Sequence, residues 1–242
     1  MLPIGDHNPT RTTPFVNYLL LAANIAAFIA QLLYTQGFGE AATIAGYGLV
    51  PRRLIQDPPG EAFTILTSMF MHGGLMHLGG NLLYLYIFGD NVEDALGHLR
   101  YLAFYLFCGL AAAVAQFLIG PSSPVPMVGA SGAIAGVLGA YLVLYPRAPI
   151  TVFVFIFFLS LPAWLVVGFW FVWNLLGGVG SLHPASQETT AFFAHLGGFL
   201  AGMLIVRSLV RRRFDLGRWE GWRTPPRHGR PRPRSRYEAW RG

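Results

Sequence analysis

Five stretches of this chain contain no Asp, Glu, Lys or Arg: 12–39, 62–89, 101–146, 148–187 and 189–206. Together they make up about two thirds of the 242 residues. A helix crosses the hydrocarbon of a bilayer with about 20 apolar residues, so uncharged stretches of this length read as membrane spans. Charged residues are 12% of the chain, about half of the roughly 25% usual in soluble domains. That is too few to wet the surface of a globular protein, and it excludes a disordered chain or a coiled coil. The pattern predicts an all-α, polytopic membrane protein.

The first span is placed at Pro14 to about Tyr34 and the second at Gly74 to Val92. Between them, 35–72 is too long for a turn and too apolar for a free linker, which predicts interfacial helices in a long outer loop. The acids Asp90, Glu93 and Asp94, with Arg100, are read as a water-facing turn. The run 101–146 is broken by Gly120-Pro121-Ser122-Ser123-Pro124-Val125-Pro126, a loop by its Pro and Ser content. A third span near 100–119 and a fourth near 130–145 follow. Ile150–Ser160 is apolar but only 11 residues long, which suits a re-entrant or interfacial piece. Leu161–Val179 and Ala191–Val210 complete six spans. No repeat of fixed period is visible.

All 17 basic residues are Arg. Eleven lie in 211–242 against three acids, Asp215, Glu220 and Glu238, so the net charge of +6 belongs to one tail. The tail offers Arg, Pro and Gly, as in Arg227-His228-Gly229-Arg230-Pro231-Arg232, rather than a folded basic face or a groove-entering element for nucleic acid, and a disordered tail beside anionic lipid is expected. With that tail inside, six spans put the N-terminus inside as well. Arg11, Arg100, Arg147 and Arg207 then share the cytoplasmic side and only Arg52 and Arg53 face out, as the positive-inside rule requires. The expected division is a short cytoplasmic N-terminus at 1–13, a membrane domain at 14–210 and the tail at 211–242. The N-terminus lacks a basic region and a small-residue cleavage site, so the first span is expected to act as an uncleaved anchor. The single cysteine, Cys108, excludes an internal disulfide and reads as a small packing residue.

A polar side chain inside a span is expensive and therefore a functional candidate. The candidates are His77, Asn81, Ser131, Asn174 and His195, with His72 just outside the second span. His77 and Asn81 are four residues apart, hence on one helix face, and both can donate from the side chain. Ser131, in Gly129-Ala130-Ser131-Gly132, opens the fourth helix, where free backbone N–H groups stabilise negative charge. His195 lies in Ala194-His195-Leu196-Gly197-Gly198, and a neutral imidazole can take the proton of a serine. Gly198 and Gly202, like Gly132 and Gly136, form small faces that let helices approach closely. Each feature also has an ordinary structural reading. A membrane serine can bond back to its own helix, a buried histidine can simply pack, Asn174 can tie two helices together and His72 can serve as a loop hydrogen-bonder.

Taken in order, His72-x4-His77-x3-Asn81, Gly129-x-Ser131-Gly132 and Ala194-His195-x2-Gly198-x3-Gly202 resemble the rhomboid family of intramembrane serine proteases. The resemblance covers roughly 10–210, and its motifs fall on the second, fourth and sixth spans. It implies a six-span bundle with Ser131 as nucleophile and His195 as general base, without a third carboxylate. His77 and Asn81 are implied donors to the oxyanion, completed by the Ser131 N–H, and His72 a loop residue with a structural or accessory role. It also implies membrane-protein substrates, single-pass or polytopic, cut in segments that unwind near the outer leaflet, with no metal or cofactor. Partners are then these substrates and membrane lipid, not nucleic acid, and the setting a prokaryotic cell membrane. Two positions depart from the family pattern. Phe63-Thr64 stands where members often have Trp-Arg in the outer loop. Ala135 stands where some carry an aromatic that stacks on the catalytic imidazole.

Other mechanisms find no support. There is no His-Glu-x-x-His for a zinc protease and no pair of span carboxylates for an aspartyl protease. Gly129-Ala130-Ser131-Gly132-Ala133 is not the Gly-x-Ser-x-Gly elbow. A rhomboid-like protein that captures helices without cutting them is the alternative. The presence of both Ser131 and His195 argues against it.

Overall fold

The computed structural model describes residues 1–181 and 191–210; the 211–242 tail lies outside them. In chain order these residues form β1 (Leu2–Asp6), α1 (Phe15–Phe38), α2 (Glu40–Tyr47), α3 (Pro51–Gln56), α4 (Pro58–Glu61), α5 (Thr64–Thr67), a short 3-10 turn (Ser68–Phe70), α6 (Leu75–Leu96) and α7 (His98–Ile119). There follow α8 (Ser131–Leu144), β2 (Pro149–Val154), β3 (Phe157–Pro162), α9 (Ala163–Ser181) and α10 (Phe192–Leu209). Four helices, α1, α7, α9 and α10, are long and apolar enough to cross a membrane. The chain is an integral multi-pass membrane protein. Helix α6 has the length, 22 residues, but ends in Asp90, Glu93 and Asp94. Helix α8 has 14 residues, about 21 Å at 1.5 Å per residue. It sits at the centre of the bundle, where almost every residue from Gly132 to Tyr141 is buried.

Glycine sets the central packing. A Cβ built on Gly198 would lie 2.0 Å from the Gly132 carbonyl oxygen, and one on Gly202 would lie 2.1 Å from that of Gly136. On the other side of α8, a Cβ on Gly136 would meet Cys108 at 2.4 Å. Helices α8 and α10 therefore touch backbone to backbone, which only glycine permits. Cys108 is fully buried in this contact, the packing role its sequence context predicts.

At the end of the bundle away from the start of α8, the acids act differently from the water-facing turn expected of them. Glu93 is fully buried and accepts from the backbone N–H groups of Val16 (3.1 Å) and Asn17 (2.7 Å). Asp94 accepts from those of Arg11 and Thr12 and from the Thr12 hydroxyl. A helix leaves its first N–H groups without intrahelical partners. Glu93 supplies partners for two of them at the start of α1, where negative charge also favours the dipole, and Asp94 holds the segment just before that helix. Charge density read as exposure thus proves to be capping. At the same end the Arg100 guanidinium donates to the Leu209 carbonyl at the end of α10.

The expectation of helices alone holds for the bundle but not for the whole chain. Ile150–Ser160, expected as a re-entrant or interfacial piece, is extended backbone. It forms the hairpin β2–β3, and the N-terminal strand β1 adds to it as an antiparallel sheet in the order β1-β2-β3. Its β-branched and aromatic residues favour a strand, and alternation buries Ile150 and Val152 on one face. Residues 2–6, expected only as part of a short N-terminus, are a strand of this sheet.

The segment between α1 and α6, 39–73, contains short helices and grips the entry to α8. Leu49 and Met127 exchange both backbone hydrogen bonds (3.0 and 2.8 Å), and the Gly129 N–H donates to the Ser68 carbonyl at 2.8 Å. The loop is closed by Arg53, which pairs with Glu61 and donates to the Ala45 carbonyl. An arginine tie is thus present although Phe63-Thr64 supplies none.

Candidate active site

Ser131 is the first residue of α8, and His195 lies one turn into α10. The glycine contact between these helices brings the Ser131 hydroxyl within 2.7 Å of His195 Nε2. On the far side of the imidazole, Nδ1 lies 2.6 Å from Asn174 Oδ1. Asn174 is buried, and its Nδ2 donates to the Trp170 carbonyl at 2.8 Å. A carbonyl can only accept, so the Asn174 amide must turn its NH2 toward Trp170 and its oxygen toward His195. Nδ1 then carries the ring proton and Nε2 presents its lone pair to the Ser131 hydroxyl. Three residues on three helices therefore set a single tautomer. Trp170 also packs beside the imidazole, with ring centroids 5.9 Å apart, taking the place of an aromatic at Ala135.

His77 and Asn81 line the same cavity from α6. The Gly73 N–H donates to His77 Nδ1 at 3.3 Å, which requires an acceptor there and leaves the proton on Nε2. That atom faces Gly129: a Cβ at Gly129 would lie 2.8 Å from His77 Nε2 and 3.4 Å from Ser131 Oγ. Gly129 has φ +124, a conformation that suits glycine. It thus keeps open the space between a histidine donor and the serine. Asn81 Nδ2 is buried and has no hydrogen-bond partner among the described residues. A buried donor left unpaired costs about 1–3 kcal/mol, so it is poised for an acceptor that arrives from elsewhere.

His72 stands back from the chemistry. Its backbone N–H and carbonyl are both held by the Gln31 amide from α1 (3.0 and 2.6 Å), and its ring packs edge-on to His77 at 5.2 Å. All four predicted site residues, Ser131, His195, His77 and Asn81, meet at one cavity of about 550 Å³. Asn174, read from sequence as a tie between helices, is such a tie and also the partner of the imidazole. Its signal in the sequence is its place as a polar residue in the middle of an uncharged stretch.

Residues 59–212 match the family model of the Rhomboid domain. The chain belongs to the rhomboid family. It is 37% identical over 129 residues to the rhomboid protease GluP of Bacillus subtilis, an overlap covering 53% of this chain and 24% of that protein. It is 31% identical over 222 residues to the mitochondrial rhomboid protein 1 of Saccharomyces cerevisiae, covering 84% and 58%. It is also 27% identical over 154 residues to inactive rhomboid protein 1 of Drosophila melanogaster, covering 64% and 10%. The chain thus spans between about a tenth and three fifths of the length of these relatives.

Proposed function

We propose that this rhomboid-family chain is an intramembrane serine endopeptidase that hydrolyses a peptide bond in or near a transmembrane segment of another membrane protein. The observation that carries the reading is the 2.7 Å contact between the Ser131 hydroxyl and His195 Nε2, with Asn174 holding Nδ1. A serine hydroxyl is a weak nucleophile until a base takes its proton. His195 accepts that proton as Ser131 Oγ attacks the scissile carbonyl carbon. The tetrahedral oxyanion receives hydrogen bonds from His77 Nε2, Asn81 Nδ2 and the Ser131 N–H. The imidazolium then protonates the leaving amine, and an acyl-enzyme remains. A water molecule, deprotonated by the same imidazole, attacks the ester and frees Ser131.

We read the seam between α6 and α9 as the opening of this cavity to lipid. A second recess of about 320 Å³ is lined by Met1, Tyr84, Val166, Phe169, Trp170 and Trp173, and Tyr84 and Trp170 line both spaces. A substrate segment arriving from the bilayer reaches Ser131 along this seam. The arrangement of Arg residues favours six spans with both termini in the cytoplasm; the setting proposed is a prokaryotic cell membrane, while the relatives include a bacterial and a mitochondrial protein. A non-catalytic helix-binding protein is the second reading, favoured by the inactive Drosophila relative. Cleavage of a membrane-helix substrate by purified, reconstituted protein separates the two. The protease reading expects loss of cleavage in Ser131→Ala and in His195→Ala, with the double variant no worse than either and substrate still bound. Wild-type binding without any cleavage, across a panel of membrane-helix substrates, favours the second reading.

A further inference from the structure

The β2–β3 hairpin has no part in that chemistry, yet its composition is extreme. Val154 pairs with Phe157, so the turn consists of Phe155 and Ile156, which are 89% and 76% exposed. Phe157 and Phe158 beside them are also exposed, and Phe158 packs on Phe153 across the outward face at 5.2 Å. Two-residue hairpin turns ordinarily place glycine where φ is positive. Here Phe155 occupies that position with φ 56, a backbone conformation unfavourable for a bulky side chain. Strain kept where glycine would relieve it indicates that the aromatic side chain itself is used.

We propose that this hairpin is a membrane-inserted wedge, with its aromatic tip in the headgroup–acyl boundary of the leaflet at the end of the bundle away from Ser131. Lipid is the occupant for three reasons. No charge occurs from 148 to 187, so the hairpin is continuous in composition with a span. β3 runs into α9 without a linker, and the first turn of α9 exposes Trp164 and Leu165, an aromatic at the depth where interfacial belts form. At the base of the hairpin Arg147 is exposed, placed to meet lipid phosphate. Depth follows from the backbone. β1 satisfies one edge of the hairpin, but the outer edge of β3 has no neighbouring strand among the described residues. Unpaired groups are not tolerated in hydrocarbon, whereas water and headgroups satisfy them at the boundary. The insertion is therefore shallow. Because β3 is continuous with α9, one wall of the cavity is anchored in that leaflet through the hairpin. The placement does not depend on whether the chain cleaves anything.

Spin labelling tests it. Cys108 is buried and is replaced in a Cys108→Ala background. Nitroxide is attached to Phe155→Cys, and separately to Ile156→Cys, where no positive φ is involved. Each protein is reconstituted in phosphatidylcholine–phosphatidylglycerol vesicles, and collision rates with oxygen and with a water-soluble nickel chelate are compared. Ser122→Cys, in the exposed loop before α8, is the aqueous reference. The wedge predicts that both hairpin labels collide more with oxygen than with nickel, with the order reversed at Ser122→Cys. Nickel collisions at the hairpin labels equal to those at the reference would overturn it. Exclusion of both relaxants together with dipolar broadening between labels would also overturn it, showing that a second copy covers the β3 edge.

Discussion

Asn174 does two things with one amide. Its NH2 satisfies the Trp170 carbonyl within α9, and its oxygen holds the His195 imidazole on α10. Replacing it with leucine keeps the volume but frees the tautomer. Turnover is expected to fall roughly 10- to 100-fold, less than the 10²–10⁴ attributed to a whole general base, while KM for a membrane-helix substrate holds. A fall in binding with unchanged kcat would show that Asn174 only ties the helices. Asn81 is the complementary case, a buried donor without a partner among the described residues. In Asn81→Ala, loss of one oxyanion donor is expected to lower turnover by about 2.7–4 kcal/mol, roughly 100- to 1000-fold, with no matching fall in Tm. Ser131, His195, His77 and Asn81 were legible as polar residues on uncharged stretches in a recognisable order. The partner of His195 was not, because Asn174 and the histidine meet only through the crossing of α9 and α10, which no spacing within one segment encodes.

The elements depend on two kinds of contact, one apolar and one polar. Gly198 lies against the Gly132 carbonyl with no room for a methyl group. Gly198→Ala is therefore expected to destabilise the fold by about 1–3 kcal/mol, the usual range for overpacking. It should also lower phosphonate reactivity at Ser131 beyond what the loss of folded protein explains, because α10 carries His195 away with it. Thermal melts and labelling rates on the same samples distinguish the two effects. The polar contact is at β1. Asp6 accepts from the Tyr141 hydroxyl of α8 (2.7 Å) and Asn91 Nδ2 of α6 (3.1 Å). Burial, reinforced by Asp90 nearby and opposed by the Tyr141 hydrogen bond, pushes its carboxyl up to about 7. The folded state thus binds the proton more tightly than the unfolded chain, so this contribution is present at low pH and is lost as pH rises from about 4 through 7. Amide exchange in β1 is expected to accelerate across that window, and Asp6→Asn should flatten the profile. An unchanged profile in Asp6→Asn would assign the dependence to another group. The limits of the long helices were close to those expected from hydropathy. The sheet was not anticipated, since an 11-residue apolar run fits a hairpin and an interfacial helix equally well until its partner, more than 140 residues earlier, is known.

For the whole molecule, the proposed six spans and the placement of Arg together give one orientation to test. Reporter fusions after Arg147 and after Arg213 are both expected to report cytoplasm, and an external signal from the second would reverse the assignment. Membrane character was the most legible property, because uncharged stretches register cost without reference to packing. The roles of Glu93 and Asp94 were the least legible, because a carboxylate that caps a distant helix has the same local sequence as one facing water. The central claim is that this bundle creates one activated serine at a lipid-accessible cavity. Its most direct measurement is labelling of the reconstituted protein with a fluorophosphonate, followed by identification of the modified peptide. A single adduct on Ser131 is expected, absent in Ser131→Ala and formed far more slowly in His195→Ala. A folded wild-type protein that gives no adduct on Ser131, or one whose labelling rate is unchanged in His195→Ala, would contradict it.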